Sequence, residues 1–460
     1  MTPEEFRRWG HEAVDWAADY LSYPEHYPVL PPVEPGGLLA ALPENAPEEG
    51  EPFETILADF QNRIVPGITH WNHPGFFGYF SVTGSPPGVL AELLAATLNN
   101  NGMLWKTGPA ATELEQRTLA WLLNWLGLPR DWFGIIFDTA STSTLHALAA
   151  ARLHAHPATR VDGAPPDLVV YTSEQAHSSV EKGAIALGMG QRNVRKIPTD
   201  DAFRMQPGSL REAIAADRAA GLRPCCIVAT VGTTSTTSID PVPEIAAIAR
   251  ETGIWLHVDA AYGGAAAVAE EYRHVLDGCE QADSLVVNPH KWLGTPVDLS
   301  AFYTRRPEVL REAFSLLPDY LRTAEEDRAV NFMEYGVPLG RRFRSLKLWF
   351  VMRAYGRKTV ADILRQQIAW ARELAAEIAA HPDFEVSAPA PLSLVCFRMR
   401  GSDDANRALL DRVNASGDVL LSHTVLRGRF VLRLAIGNWA TRRNDVQHAW
   451  SLVRQAAAAR

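Results

Sequence analysis

The stretch "SLVVNPHKWLG", residues 284–294, decides the fold that we expect for this 460-residue chain. Its first four residues predict a short buried strand, which ends at once in asparagine, histidine and lysine. Lysine is costly to desolvate and usually stays on a solvated surface. Alone, Lys291 would more often be a surface lysine just past a strand, so its place after a core strand needs a reason.

Short apolar runs that end in small or polar residues recur along the chain. They are "DLVVYTS" (167–173), "CCIVATVG" (225–232), "IWLHVDAA" (254–261) and "LSAFYTR" (299–305). Helix-like stretches such as "TSTLHALAAARLHAH" (142–156) and "PVPEIAAIARETG" (241–253) fall between several of them. This alternation predicts an α/β domain on a mostly parallel sheet, where ligands bind at the carboxyl ends of the strands.

Composition and charge narrow the class of protein. Hydrophobic residues make up 47% and charged residues 21%, which is ordinary for a soluble protein. The net charge of −9, without a basic stripe, argues against nucleic acid and anionic membranes as partners. The cysteines lack metal-type spacing, and the charged start "MTPEEFRRWG" lacks the apolar region of a signal peptide. We therefore expect a reduced cytoplasmic protein without a metal.

Four expected strand ends carry groups that can do chemistry. Thr139 and Ser141 stand where a helix begins, and helix amides there can bind an anion, although ordinary capping is the better explanation when this segment is taken alone. His177 and Asp259 each follow a strand and could be a structural hydrogen-bonder and a helix cap. Together with Lys291, however, they make up the parts of a pyridoxal phosphate site.

Each part of such a site has a physical task. A desolvated lysine offers the free amine that bonds to the aldehyde, and an aspartate keeps the pyridine nitrogen protonated. Helix amides hold the phosphate, and a ring stacks on the cofactor face. Lys291 is the best candidate by elimination, because the other lysines follow no comparable strand: Lys106, Lys182, Lys196, Lys347 and Lys358.

At these residues the chain resembles the group II pyridoxal-phosphate decarboxylases of the aromatic-L-amino-acid decarboxylase type. The motifs that carry the resemblance occur in the order found in the family: "HPGFFGYF", "PAATELE", "QAHSSVEKG", "ATVGTT", "WLHVDAAYGG", "NPHKWL" and "PLGRRFRSLKLWF". The resemblance implies a fold-type I, aspartate aminotransferase-like α/β fold. It also implies an N-terminal segment (1–84) on a partner subunit, a large cofactor domain (85–346) and a small C-terminal α+β domain (347–460).

The resemblance assigns roles residue by residue. The implied catalytic residues are Lys291, His177, Tyr320 and Asp259. The implied binding residues for pyridoxal 5'-phosphate are Thr139, Ala140, Ser141, His177, Thr234, Asp259, Ala261, Asn288, His290 and Lys291. Tyr320 matches a proton donor on the family's mobile loop, here about residues 316–336. Tyrosine at that position favours an amine product, whereas relatives that make aldehydes commonly carry phenylalanine.

The resemblance also implies a homodimer with shared active sites and an aromatic L-amino acid as substrate. The implied pocket residues are Trp71, Tyr79, Phe80, Val82, Asn101, Met103 and Gly340. Gly340 leaves room for a large ring, so we expect tryptophan slightly ahead of phenylalanine, tyrosine or dopa. Arg433 keeps transamination open as a side reaction. An aromatic aldehyde synthase, a histidine or glutamate decarboxylase, and a non-catalytic relative remain alternatives.

Overall fold

Helices and strands alternate along the chain, as the apolar runs predict. The computed structural model describes residues 1–316, 325 and 328–459. Its helices are α1 Pro3–Ser22, α2 Gly37–Ala41, α3 Phe53–Asp59, α4 Pro86–Leu98, α5 Pro109–Leu126, α6 Ala140–Ala155, α7 Thr159–Asp162, α8 Ser179–Ala186, α9 Pro207–Ala219, α10 Val242–Thr252, α11 Pro289–Trp292, α12 Pro307–Phe314, α13 Ser345–Ala380 (interrupted at Gly356), α14 Asp403–Asn414 and α15 Arg443–Ala458. Its strands are β1 Phe76–Phe77, β2 Phe133–Phe137, β3 Leu168–Ser173, β4 Val194–Ile197, β5 Arg223–Thr230, β6 Trp255–Asp259, β7 Ser284–Val287, β8 Ser300–Thr304, β9 Phe384–Val386, β10 Leu394–Met399, β11 Leu420–Leu426 and β12 Arg429–Ala435.

A seven-stranded sheet forms the core that carries the predicted site. Its strand order is β2-β8-β7-β6-β5-β3-β4. Strand β8 pairs antiparallel with β2 and β7, and the other neighbours pair in parallel. The predicted α/β class with a mostly parallel central sheet is therefore confirmed. The carboxyl ends of β2, β3, β5, β6 and β7 meet at one edge, where ligands bind in such sheets.

The central strands are apolar on both faces because helices cover both sides of a parallel sheet. All residues of β6 and β7 are buried, and so is β3. Helix α6 packs on this sheet through alanines and leucines such as Leu148 and Ala151, which are fully buried with Val170 and Val228. This packing fixes the amino end of α6 at the edge where the parallel strands end.

The chain divides into two compact units. One comprises residues 1–81, 376–387 and 397–460, and the other comprises residues 82–375 and 388–396. In the first unit, β1 pairs in parallel with β11, and Val29 of the proline-rich arm packs with Phe76 and Leu420. A five-stranded sheet has the order β1-β11-β12-β10-β9. The prediction that residues 1–84 pack on a partner subunit stays a prediction.

Two further features are the hydropathy of the helices and the state of the cysteines. Across the residues that the model describes, no helix combines the length and apolarity that a bilayer crossing requires. All four cysteines are buried, and none forms a disulfide with another: Cys225, Cys226, Cys279 and Cys396.

Three histidines in the second unit are buried as neutral rings. Burial lowers the pKa of His146, His257 and His290 from 6.5 to about 4 in each case. His257 lies fully buried in β6, and its Nδ1 is 2.9 Å from Ser284 Oγ. A histidine whose pKa is lower in the folded than in the unfolded state favours unfolding once the solution is acidic enough to protonate it.

We therefore expect acid to destabilise the fold as the pH falls below about 6.5, the pKa of an unfolded histidine. The stabilising effect of keeping His257 neutral is complete above pH 6.5 and is lost as the pH falls towards 4. At 1.36 kcal/mol per pKa unit, His257 alone should lower the free energy of unfolding by about 2 to 3 kcal/mol at pH 4.5. Urea unfolding between pH 7.5 and 4.5 measures this loss. His257→Gln should flatten the profile, the exposed His11→Gln should not, and parallel profiles for all three proteins would contradict the neutral buried ring.

Candidate active site

Lys291 lies on α11, a single helical turn that directly follows β7. Burial lowers the pKa of the Lys291 amine from its usual value, and the negative charge of Asp259 partly opposes this shift. The neighbouring Trp292 is fully buried, stacks on Tyr262 with ring centroids 4.6 Å apart, and donates from Nε1 to Gln367 Oε1 at 2.6 Å. Trp292 thus anchors the turn that presents the lysine, and a lowered pKa makes the neutral amine available for bond formation.

Asp259 ends β6 at the same edge, next to the strand that leads to Lys291. It is buried, it pairs with Val286 of β7, and its Oδ1 accepts a hydrogen bond from Ala261 N at 3.1 Å. Its backbone oxygen accepts from Val231 N at 2.9 Å, which ties the ends of β5 and β6 together. A carboxylate held in this way is placed to pair with a cation at the strand ends.

His177 follows β3 and shares the electrostatic environment of these two groups. Desolvation lowers the pKa of His177, while the charge of Asp259 raises it and that of Lys291 lowers it. Its Nδ1 accepts from Ser179 N at 3.1 Å, so the proton of the neutral ring is on Nε2. His177 remains exposed in the single chain, which leaves its ring accessible to a flat molecule. The structure therefore brings together the three groups that the sequence predicted.

The amino end of α6 forms the second part of the site. Thr139 is the N-cap residue, and its hydroxyl accepts from Thr142 N at 3.4 Å. The first turn of a helix leaves amides without intrahelical acceptors, and the helix dipole favours an anion there. Ala140 and Ser141 occupy this turn, next to the end of β2. The predicted anion cradle is thus placed at the same sheet edge as Lys291.

Two nitrogen donors complete the anion cradle on the Lys291 side. His290 Nδ1 accepts from Leu299 N at 2.8 Å, so Nε2 carries the proton. Asn288 Nδ2 lies 3.4 Å from that Nε2, and two donors cannot bond to each other. Both can instead donate to a single oxygen acceptor such as a phosphate.

A chain of hydroxyl groups orients Asn288, and sequence reasoning missed it. Ser300 Oγ donates to Asn288 Oδ1 at 2.7 Å, and Ser143 Oγ lies 2.8 Å from Ser300 Oγ. All three side chains are buried. Because Ser300 donates to the amide oxygen, the amide nitrogen must face the other way, towards His290. The pattern of "LSAFYTR" does not reveal the role of Ser300, because Asn288 and Ser143 belong to other elements and the pattern does not show that they meet Ser300.

A buried carboxylate under the end of β5 was also missed. Asp240 accepts from Thr230 N at 2.8 Å and from Met205 N at 2.7 Å, and burial raises its pKa to about 6. These bonds fix the start of the turn in which Val231 pairs with Ile239. Thr234 lies exposed in this turn, and Ala261 is buried behind Asp259.

The predicted substrate-pocket residues fall into the two compact units. Trp71, Tyr79 and Phe80 lie in the first unit, where the rings of Trp71 and Tyr79 are 6.0 Å apart. Tyr79 has a φ of 52°, and the guanidinium of Arg433 lies 5.5 Å from the Phe80 ring. A positive φ is unusual for an aromatic residue and often marks a functional position.

The remaining pocket residues lie in the second unit. Asn101 Oδ1 accepts from Arg341 N at 3.0 Å, and Asn101 Nδ2 lies 3.8 Å from Met103 Sδ. A Cβ added to Gly340 would lie 3.7 Å from Asn101 Nδ2, so these two positions are neighbours. Val82 is partly buried. Tyr320 lies outside the described residues.

The donor set fits pyridoxal phosphate at this edge. Helix amides, a histidine Nε2 proton and an asparagine amide suit the phosphate. A desolvated lysine and a buried carboxylate suit the aldehyde and the pyridine nitrogen. These residues lie at the ends of β2, β6 and β7 and in the turn or helix after each, which are three of the four strand ends that the sequence singled out.

Comparisons with known proteins agree with this geometry. The model of the pyridoxal-dependent decarboxylase conserved domain matches residues 35–400. A tryptophan decarboxylase of Camptotheca acuminata is 41% identical over 99% of this chain and 94% of its own, and the aromatic-L-amino-acid decarboxylase of Rattus norvegicus is 41% identical over 99% and 98%. The crystal structure of Oryza sativa TDC with PLP and tryptamine superposes with a TM-score of 0.97 at 37% identity, covering 100% of this chain and 99% of that one. The chain therefore belongs to the pyridoxal-dependent decarboxylases, in the aromatic-L-amino-acid decarboxylase family of fold type I, with pyridoxal 5'-phosphate as its cofactor.

Proposed function

We propose that this protein decarboxylates aromatic L-amino acids to the corresponding arylalkylamines and carbon dioxide. The observation that carries the proposal is the desolvated Lys291 amine, which shares one sheet edge with Asp259, His177 and the anion cradle of α6. Relatives that are about two-fifths identical are named for tryptophan and aromatic amino acids, which supports the substrate class.

The cofactor, when bound, withdraws electrons from the substrate α-carbon; the residues of the chain decide which bond breaks. Lys291 would bind the cofactor covalently, and Asp259 would hold the proton on the pyridine nitrogen. His177 would stack on the ring and fix its plane. The bond perpendicular to that plane is the one that breaks, so the pocket must direct the substrate carboxylate along that axis. Tyr320 would deliver the proton that replaces the carboxyl group.

Phosphate binding would fall to the other end of the site. Thr139, Ala140 and Ser141 would donate mainly through backbone amides, and Asn288 and His290 through the nitrogen protons described above. Thr234 and Ala261 would lie close to the ring beside Asp259.

The substrate preference would be set by the predicted pocket. Glycine at position 340 adds no side chain beside Asn101, which leaves space for an indole. The exposed amide of Asn101 makes this wall more polar than an all-apolar pocket. We place tryptophan slightly ahead of phenylalanine, tyrosine and dopa.

We also infer a cytoplasmic homodimer with shared active sites. Helix α4 exposes a row of large apolar side chains, which a partner subunit would cover: Leu90, Leu93, Leu94 and Leu98. The four buried cysteines, which form no disulfide with one another, suit a reducing compartment.

Replacing Lys291 tests the central assignment. Lys291→Ala should bring decarboxylation of tryptophan, phenylalanine, tyrosine and dopa below about one-thousandth of the wild-type kcat/KM, since the covalent attachment is lost. Borohydride reduction followed by mass spectrometry should detect covalently bound cofactor in the wild-type protein and none in Lys291→Ala. Lys347→Ala, at another buried lysine, should retain the covalent attachment. Full turnover by Lys291→Ala, or a wild-type protein that decarboxylates none of the four, would refute the proposal.

Replacing Tyr320 distinguishes amine formation from aldehyde formation. Tyr320→Phe should raise aldehyde and hydrogen peroxide at the expense of amine, because the proposed proton donor is removed. Amine, aldehyde and peroxide are measured in one incubation with tryptophan and oxygen. An unchanged product ratio would remove the proton-donor role, and an aldehyde-dominated wild-type ratio would favour the aldehyde synthase alternative.

Replacing Ser300 tests the hydroxyl chain behind the phosphate cradle. Ser300→Ala leaves Asn288 Oδ1 without its donor and should weaken cofactor binding about three- to tenfold, the effect of one neutral hydrogen bond. The Kd is measured by titrating the apoprotein with pyridoxal phosphate. Ser284→Ala is a matched control, because Ser284 is buried at the opposite end of β7 and bonds to Trp255 and His257. Equal Kd values for both variants would contradict the role of Ser300.

A further inference from the structure

The carboxylate of Glu334 joins two stretches that flank the segment carrying Tyr320. Glu334 is only 4% exposed and lies in the 3-10 turn Phe332–Tyr335. Its Oε2 accepts from the Arg311 guanidinium and from Ser315 Oγ, the latter at 3.2 Å. Arg311 belongs to α12, and Ser315 is the C-cap residue of that helix. One buried carboxylate therefore holds the chain before residue 316 to the chain after residue 330.

The imidazole of His146 makes a second junction between the same two stretches. Its ring centroid lies 4.7 Å from that of Phe314, the last residue of α12. Its Nδ1 donates to Thr142 O at 2.7 Å, and its Nε2 accepts from Val337 N at 3.2 Å. Both bonds require one neutral tautomer, and burial lowers the pKa of His146 to about 4, which keeps the ring neutral at physiological pH.

The backbone at residues 336–337 lies so close to His146 that position 336 has no room for a side chain. A Cβ added to Gly336 would lie 2.8 Å from His146 Nε2 and 3.0 Å from Phe137 Cε1. The backbone of Gly336 thus lies directly on the imidazole, which also stacks on Phe137 with centroids 4.0 Å apart. Phe137 ends β2, and His146 lies in α6, the helix that begins at Thr139. The junction is therefore built on the same helix as the phosphate cradle.

We propose that Glu334 and His146 are positioning residues for decarboxylation, which hold both ends of the Tyr320 segment in register with the cofactor-binding helix. This inference rests on the proposed function, in which Tyr320 delivers a proton. Loosening either junction should slow proton delivery, whereas the affinity for the substrate should change little. We expect kcat to fall with little change in KM, and the aldehyde fraction to rise towards that of Tyr320→Phe.

The test compares Glu334→Gln and His146→Phe with wild type and a matched control in the holoenzyme. Glu334→Gln keeps the shape but loses the charge that pairs with Arg311, and His146→Phe keeps the ring but loses the acceptor for Val337 N. Glu271→Gln is the control, because it removes the charge from a more exposed glutamate that pairs with Arg365 elsewhere in the same unit. Trypsin cleavage within residues 316–330, mapped by mass spectrometry, and the amine-to-aldehyde ratio are both measured.

We expect cleavage and the aldehyde fraction to rise at least about threefold in both variants, and neither to change in Glu271→Gln. Unchanged cleavage in folded variants overturns the proposal, whatever Tyr320 does. Faster cleavage with a wild-type product ratio also overturns it if Tyr320→Phe shifts that ratio. If Tyr320→Phe leaves the product ratio unchanged, the proton-donor role fails, and the positioning proposal fails with it even if cleavage rises. Arg311→Gln, which alters only the exposed partner, replaces Glu334→Gln should that variant not fold.

Discussion

The desolvation of one lysine amine is the constraint on which the rest of the site depends. Burial lowers the pKa of Lys291 on α11, the turn that follows a buried strand and that Trp292 anchors through its contacts with Tyr262 and Gln367. The negative charge of Asp259, on the neighbouring strand, partly opposes this decrease in the pKa of Lys291. A lowered pKa increases the fraction of the amine that is neutral and able to form a bond.

Backbone amides determine which ring nitrogen carries the proton in the histidines at this edge. Leu299 N occupies His290 Nδ1, and Ser179 N occupies His177 Nδ1, so both rings present a protonated Nε2. Desolvation keeps both rings neutral by lowering their pKa values. The site therefore offers neutral donors to the cofactor and gains no positive charge beyond that of the lysine. Under the proposed function, this arrangement would leave Asp259 as the negative partner of the pyridine nitrogen.

Much of the architecture could be predicted because short local sequence patterns specify it. Apolar runs of four or five residues predicted the parallel strands, and the polar residues after them marked the edge where Lys291, Asp259 and His177 meet. The supporting residues could not be found in this way. Ser300 acts on Asn288 through a hydroxyl proton, Asp240 acts through backbone amides, and Glu334 acts across a chain segment. Each of these pairings depends on the register of packed elements, which sequence periodicity does not specify.

The reversed direction of β8 has a consequence for how the site is encoded. In an otherwise parallel neighbourhood, β8 begins at the edge where its neighbours end, so Ser300 at its start can support Asn288 at the end of β7. The antiparallel return also needs no crossover helix, and residues 288–300 run directly from one strand to the next. Lys291, Asn288, His290 and Ser300, which we propose to serve the cofactor, are thus contained in one uninterrupted peptide. Transplanting that peptide into a related scaffold would preserve this part of the site only where the scaffold supplies the counterparts of Tyr262, Gln367 and Ser143.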